Sequence, residues 1–182
     1  MHHSLRFYSR NREWFLHFYM FGASLTRIPL AGRLIRWVAN TWGKKVEAAY
    51  LLTTGEAEAI VDISEKLLLS PCTCRTVFRN CDNPVNTEIM VGLSQNVFVE
   101  AKPQDYREIN RQEARDILRQ CHERGLIHTL IRCREDYYAI CNCCSCCCVP
   151  LRLSKQYGIG NALTRSNDII RLFKEHQLQH QG

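Results

Sequence analysis

Acidic residues are nearly missing from the first 45 positions of this 182-residue chain. Glu13 stands alone there against eight lysines and arginines. That segment therefore carries +7, and the remainder nets −1. The basic excess is local, so the chain does not have the all-over positive field of a nucleic-acid coat. Long apolar runs are missing too. The longest uncharged stretch, Trp14 to Thr26, is too short to span a bilayer. No apolar core followed by a small-residue cleavage site marks the N-terminus, so the expected location is cytoplasmic, with a peripheral membrane position as the variant. There is no P-loop and no nucleophile–base pattern. Gly158-Ile159-Gly160 lacks the third glycine and preceding strand of a dinucleotide site. Internal repeats and low-complexity linkers are absent, and no cysteine follows Cys148.

Cysteine is what the chain has in excess. It has eleven, an odd number, so complete internal pairing is impossible. Six crowd into the eight positions Cys141-Asn142-Cys143-Cys144-Ser145-Cys146-Cys147-Cys148. Neighbouring cysteines bridge only with strain. In a reducing compartment such thiols read as metal ligands or redox groups. With 46% hydrophobic and 23% charged residues, a normal core is available without them. This argues against a metallothionein-like peptide.

Thiolate is the soft ligand selected by iron–sulfur clusters, zinc and cuprous copper. The candidate ligands form two groups. The first is Cys72, Cys74 and Cys81. The second is Cys141, Cys143, Cys144, Cys146, Cys147 and Cys148, with Cys133 across a hairpin. In extended chain, alternate residues share a face and neighbours point apart. Cys72 and Cys74 should then point together, as should Cys141 with Cys143, Cys144 with Cys146, and Cys146 with Cys148. Adjacent pairs should feed two different sites. Asn142 and Ser145 are candidate donors to sulfur. Arg75, Arg132 and Arg134 are candidate counter-charges for an anionic cluster. His128 is a candidate donor or ligand, though a core histidine is the simpler reading. Cys121 lies on an apolar helix stripe and is left out of the site.

The expected fold class is α+β, with several helices and a small antiparallel sheet or hairpin around a cysteine-rich metal site. Two regions are expected: residues 1–45, basic, aromatic and helical, and residues 46–182, the cysteine-rich domain. Pro29 predicts a helix start, with Leu30, Leu34, Ile35 and Val38 at helical spacing. This segment is expected to cover the core with its arginines in water; the competing reading is a membrane-surface, partner-docking or homodimer element. Thr53 to Glu56 opens a second helix. Val97-Phe98-Val99 reads as a short strand. Asn110 and Glu113 predict a capping box on a helix that Gly125 closes. Leu126–Arg132 and Tyr137–Cys141 predict a hairpin that brings Cys133 and Cys141 to a common end. A last helix is expected from about Ser166.

The stretches "PCTCR…NCDNPVNTEIMVG", "REINRQEARDILRQCHERGLIHTL" and "YAICNCCSCCCVPLRL" resemble a group of bacterial and archaeal iron–sulfur proteins of the 4Fe–4S ferredoxin-like kind. The likeness covers roughly residues 50–160. It implies that Cys72, Cys74 and Cys81 join the late cysteines in holding one or two 4Fe–4S clusters. Many of those proteins carry a further cysteine where Thr87-Glu88-Ile89 stands here, so one cluster uses Cys133 instead or has an incomplete ligand set. Many also carry a C-terminal CxxCxxC module, which this chain lacks.

Three functions follow as expectations. The first is electron transfer with a redox partner protein. The second is a cluster enzyme or maturation factor with an open iron position, for which Asp82, Glu88, His122 and His128 are candidate groups. The third is a zinc or copper thiolate module. Nucleic acid is not a favoured partner.

Overall fold

The computed structural model describes residues 2–29, 31–45, 47–92, 95–133 and 136–179, with side chains at all of these except 2–5, 44, 45 and 47. The N-terminal part is helical: α1 (His2–Ser24), a 3₁₀ turn (Leu25–Arg27) and α2 (Ala31–Lys45). Asn11 leaves helical geometry at φ −117° and kinks α1. The rest alternates: β1 (Glu47–Leu51), α3 (Thr54–Ile63), β2 (Leu68–Pro71), α4 (Thr73–Phe78), β3 (Asn86–Met90) and α5 (Gln95–Ala101). Then come β4 (Arg107–Glu108), α6 (Arg111–Glu123), β5 (Ile127–Cys133), β6 (Asp136–Cys143), α7 (Val149–Tyr157), β7 (Leu163–Thr164) and α8 (Ile169–Gln179).

The class is α+β. Its sheet is larger than the small antiparallel element expected, with seven strands in the order β4-β2-β3-β6-β5-β1-β7. All pairings are antiparallel except β1 with β7. Ile89 and Val91 face one layer, where Ile60, Leu118, Ile169 and Phe173 from α3, α6 and α8 bury them. Met90 faces the other, with Phe98 of α5 stacked on Tyr138 at 5.0 Å. Alternate burial on two faces is what a central strand requires.

Local signals place several elements. The Thr53 hydroxyl accepts from the Glu56 N–H at 3.2 Å, and the Thr53 N–H donates to Glu56 Oε2 at 2.7 Å, so α3 opens on a capping box. Asn110 Oδ1 accepts from the Glu113 N–H at 2.8 Å and starts α6. The return arm expected from Glu113 is not made; its carboxylate pairs with Arg107 at 2.6 Å. Gly125, at φ +71°, ends the helix.

Two expectations are overturned here. Val97–Val99 lies in helix α5, because Phe98 and Val97 bury against the sheet face and Gln95 Nε2 anchors the start to the Lys66 carbonyl at 2.7 Å. Packing outweighs the strand preference of a short β-branched run. The second concerns α2. Leu34 and Val38, expected over the core, are exposed; Leu30 and Arg134 lie outside the described residues.

Among the described residues, no helix is long and apolar enough to cross a membrane.

Candidate metal centre

The cysteine-bearing segments converge where β2, β6 and two short connections meet. Pro71 ends β2, and Cys72 occupies the N-cap position of α4. Arg79 takes a left-handed φ of 50°, which ends α4 and turns the chain into the loop carrying Cys81. β6 delivers Cys141 and Cys143, residues 145–147 form a turn, and Cys148 sits at the N-cap position of α7.

Cys81, Cys144, Cys146 and Cys147 come together with all four sulfurs within 4.8 Å of one another. Cys81 Sγ lies 3.7 Å from Cys144 Sγ and 3.8 Å from Cys147 Sγ. A single tetrahedral ion with metal–sulfur bonds of about 2.3 Å spaces its thiolates about 3.8 Å apart. The set therefore fits one soft ion.

Backbone and amide donors surround it. The Asn80 N–H donates to Cys147 Sγ at 3.3 Å, and Asn83 Nδ2 donates to Cys81 Sγ at 3.5 Å. Asn80 Nδ2 binds the Cys146 carbonyl at 3.0 Å and ties the loop to the turn. Burial pushes the Cys81 thiol up, but hydrogen bonds from the Asn83 backbone, Cys146, the Asn83 side chain and Cys144 outweigh it and bring the pKa down to about 6. Burial, with Cys144 and Cys81 alongside, raises Cys146 to about 11. Burial also raises Cys147. One thiolate held by its protonated neighbours is the expected state of a metal-free thiol cluster.

A second thiol group lies behind the first. Cys143 receives hydrogen bonds from Cys141 and Cys148, which hold its pKa well below the usual value. Thr129 Oγ1 lies 3.4 Å from Cys143 Sγ. Cys148 also contacts Cys74, and those sulfur contacts with burial push it well up. Burial raises Cys72 to about 12, with Cys74 and Cys143 adding to it and Arg75 opposing. Arg75 is 2% exposed and donates to Thr87 Oγ1 at 2.5 Å and to the Asn142 carbonyl at 2.7 Å. The thiols of Cys72, Cys144 and Cys143 all act on its charge, so this guanidinium serves both groups.

The parity expected from the sequence holds at Cys143–Cys144 and Cys147–Cys148, whose members part into different groups. It fails at Cys146–Cys147, which share the first group, and at Cys146–Cys148, which do not. The reason is local: residues 145–147 turn instead of running extended. Asn142 does not donate to sulfur; its amide binds the Thr87 carbonyl at 2.6 Å, and its oxygen meets His128 Nδ1 at 2.6 Å. His128 is a buried core histidine, its pKa lowered by that burial, paired with Asn142 across the hairpin and stacked on His122 at 5.9 Å.

Cys133 stands apart from both groups. The hairpin exists, but its register pairs Cys133 with Asp136 at the turn and Cys141 with Thr129, four residues up the strand. At about 3.3 Å per residue this separates Cys133 from Cys141 by roughly 13 Å along the sheet. Arg132 shares that end and lies over the Tyr50 ring at 5.8 Å. Cys121 packs on the first group beside Leu126, Cys144 and Cys147, and burial raises it to about 11. Sequence reasoning missed Asn80, Asn83 and Thr129. Only the two asparagines had a signal, being in the turn-rich stretch beside Cys81.

Compared with family models, curated proteins and solved structures, the chain matches none.

Proposed function

We propose that this chain is an iron–thiolate protein whose role is electron transfer to or from a partner protein. The observation that carries this reading is the four-sulfur set of Cys81, Cys144, Cys146 and Cys147. Four thiolates close a coordination sphere and leave no position for substrate, which suits electron exchange better than catalysis. The donors on Cys81 and Cys147 sulfur are of the kind that tune a metal's potential. Cys81 and Cys146 are only half-buried, so an edge of the set is within reach of a redox partner. The CxCR and CNCCxCCC motifs support iron, and the second thiol group offers ligands for a further centre.

A second reading rests on the sulfur spacing. Separations of 3.7 and 3.8 Å suit a lone ion, including non-redox zinc. A cubane spreads its four thiolates over four irons and would need them farther apart.

One experiment separates these readings: metal and acid-labile sulfide analysis of anaerobically purified protein, followed by EPR on reduction. Iron with sulfide is the cluster form of the proposal. Iron without sulfide is its single-ion form. Zinc at full occupancy with no iron overturns it.

A further inference from the structure

The two N-terminal helices carry apolar side chains that the rest of the fold does not cover. On α1, after the kink at Asn11, Trp14, Phe18 and Phe21 follow one another at i, i+4 and i+7, and all are more than half exposed. On α2, Leu34, Trp37, Val38 and Trp42 fall at i, i+3, i+4 and i+8, between 52% and 66% exposed. Each set is one stripe of a helix, and each stripe faces outward. An outward apolar stripe this aromatic marks an interaction surface.

Between the 3₁₀ turn, the start of α2 and the end of α7 lies a groove of about 730 Å³. Arg27, Arg33 and Arg36 line it with Ile28 and Tyr157, and none of its lining residues is acidic. The Arg27 guanidinium sits 5.0 Å from the centre of the Tyr157 ring, and Arg36 Nη1 donates to the Thr26 carbonyl at 2.9 Å. Both are thereby pre-positioned. Arg33 is exposed and makes no ion pair among the described residues. Arg10, on the exposed side of α1, is likewise without an ion pair among them. The sole acid of the segment, Glu13, is engaged by Lys102 at 2.6 Å.

We propose that α1 and α2 dock the protein on an anionic lipid bilayer, with Trp14, Phe18, Trp37 and Trp42 at headgroup depth and the exposed, unpaired Arg10 and Arg33 reaching lipid phosphates from beside the stripes. Charge complementarity selects this occupant. A second copy seated on the stripes by two-fold symmetry would bring one segment of net charge +7 against another. A phosphate in solution would engage the groove but leave both aromatic stripes in water. A bilayer interface suits the aromatic stripes and the unpaired cations beside them: tryptophan prefers headgroup depth, and anionic lipid attracts arginine. Among the described residues no helix is long and apolar enough to cross, so the helices lie along the surface. The inference is independent of which metal the cysteines hold.

The test is co-sedimentation of the full-length, anaerobically purified protein with vesicles of phosphatidylcholine alone and of phosphatidylcholine with one third phosphatidylglycerol. Tryptophan emission is read in parallel. Binding to the anionic vesicles only, weakened by salt and accompanied by a blue shift, is the expected result. Arg33→Glu, and separately Trp37→Ser with Trp42→Ser, should each weaken binding about tenfold or more while bound metal stays unchanged. Equal binding to both vesicles, or none, overturns the proposal. So does light scattering that shows a dimer which the tryptophan variant converts to monomer, since the stripes would then belong to an interface between copies.

Discussion

Arg12 Nη2 lies 2.7 Å from Glu88 Oε1 across 76 positions of sequence, and Glu88 is 1% exposed. The pair ties α1 to β3 directly behind the second thiol group. Burial works against the charge on Arg12, yet Glu88, with Tyr138, Tyr8 and Tyr106 nearby, holds its pKa well above the usual value. Removing one partner leaves a buried charge alone. Arg12→Met should therefore cost about 3–5 kcal/mol in urea unfolding, and pairing it with Glu88→Leu should recover most of the loss.

Metal content should follow the two thiol groups and not the cysteine count. Cys133→Ser, at the turn end of the hairpin, should bind as much metal as the parent. Cys81→Ser removes one of four ligands and should lose metal on dialysis. Asn83→Ala deletes only a donor to Cys81 sulfur and should weaken affinity by about 10–100-fold. Competition with a chelator measures all three.

Arg75 bridges Thr87 Oγ1 and the Asn142 carbonyl through one nitrogen, Nη2. Lysine keeps the charge, but its ammonium ends one atom short of the place Nη2 occupies. Arg75→Lys should cost about 1–3 kcal/mol through lost hydrogen bonds in a buried place. Denaturant midpoints of the two proteins, prepared together under anaerobic conditions, give the number.

Much of the fold is local and therefore readable. Thr53 and Asn110 cap helices because their side-chain oxygens reach free N–H groups two or three residues on. The β5–β6 hairpin follows from two apolar runs around a polar turn. What periodicity leaves open is direction. The spacing of Leu34 and Val38 announces an apolar face on α2, but not that the face looks away from the core. The hairpin reading likewise lacked its register, so Cys133 and Cys141 were brought too close. Strand parity placed Cys143 and Cys144 correctly because the chain there is extended, and it failed at Cys146 where the chain turns. Arg12–Glu88 had no local signal at all.

Stability should also depend on pH through Glu56. Its carboxyl is held below the usual 4.5 chiefly by hydrogen bonds from Arg165, with burial opposing and Thr53 assisting. The folded state thus binds this proton less readily than the unfolded state. The contribution is fully present above 4.5 and is lost as pH falls through the lower folded value. Arg165 is 41% exposed, so water screens the pair. Glu56→Gln should cost about 0.5 kcal/mol at neutral pH, and the difference from the parent should vanish in strong acid. Urea midpoints at the two pH values check it.

The hand-over between Cys143 and Cys144, where one residue belongs to the inner thiol group and its neighbour to the outer, makes the segment a matter of phase. Substituting a single sulfur removes one ligand and leaves the others addressed correctly. Inserting or deleting a single residue between Cys141 and Cys144, where the chain is extended, would swap the face of the sulfurs that follow, even with all eleven cysteines kept. A substitution there costs one ligand, whereas a change of length costs the allocation of several, as a shift of reading frame does.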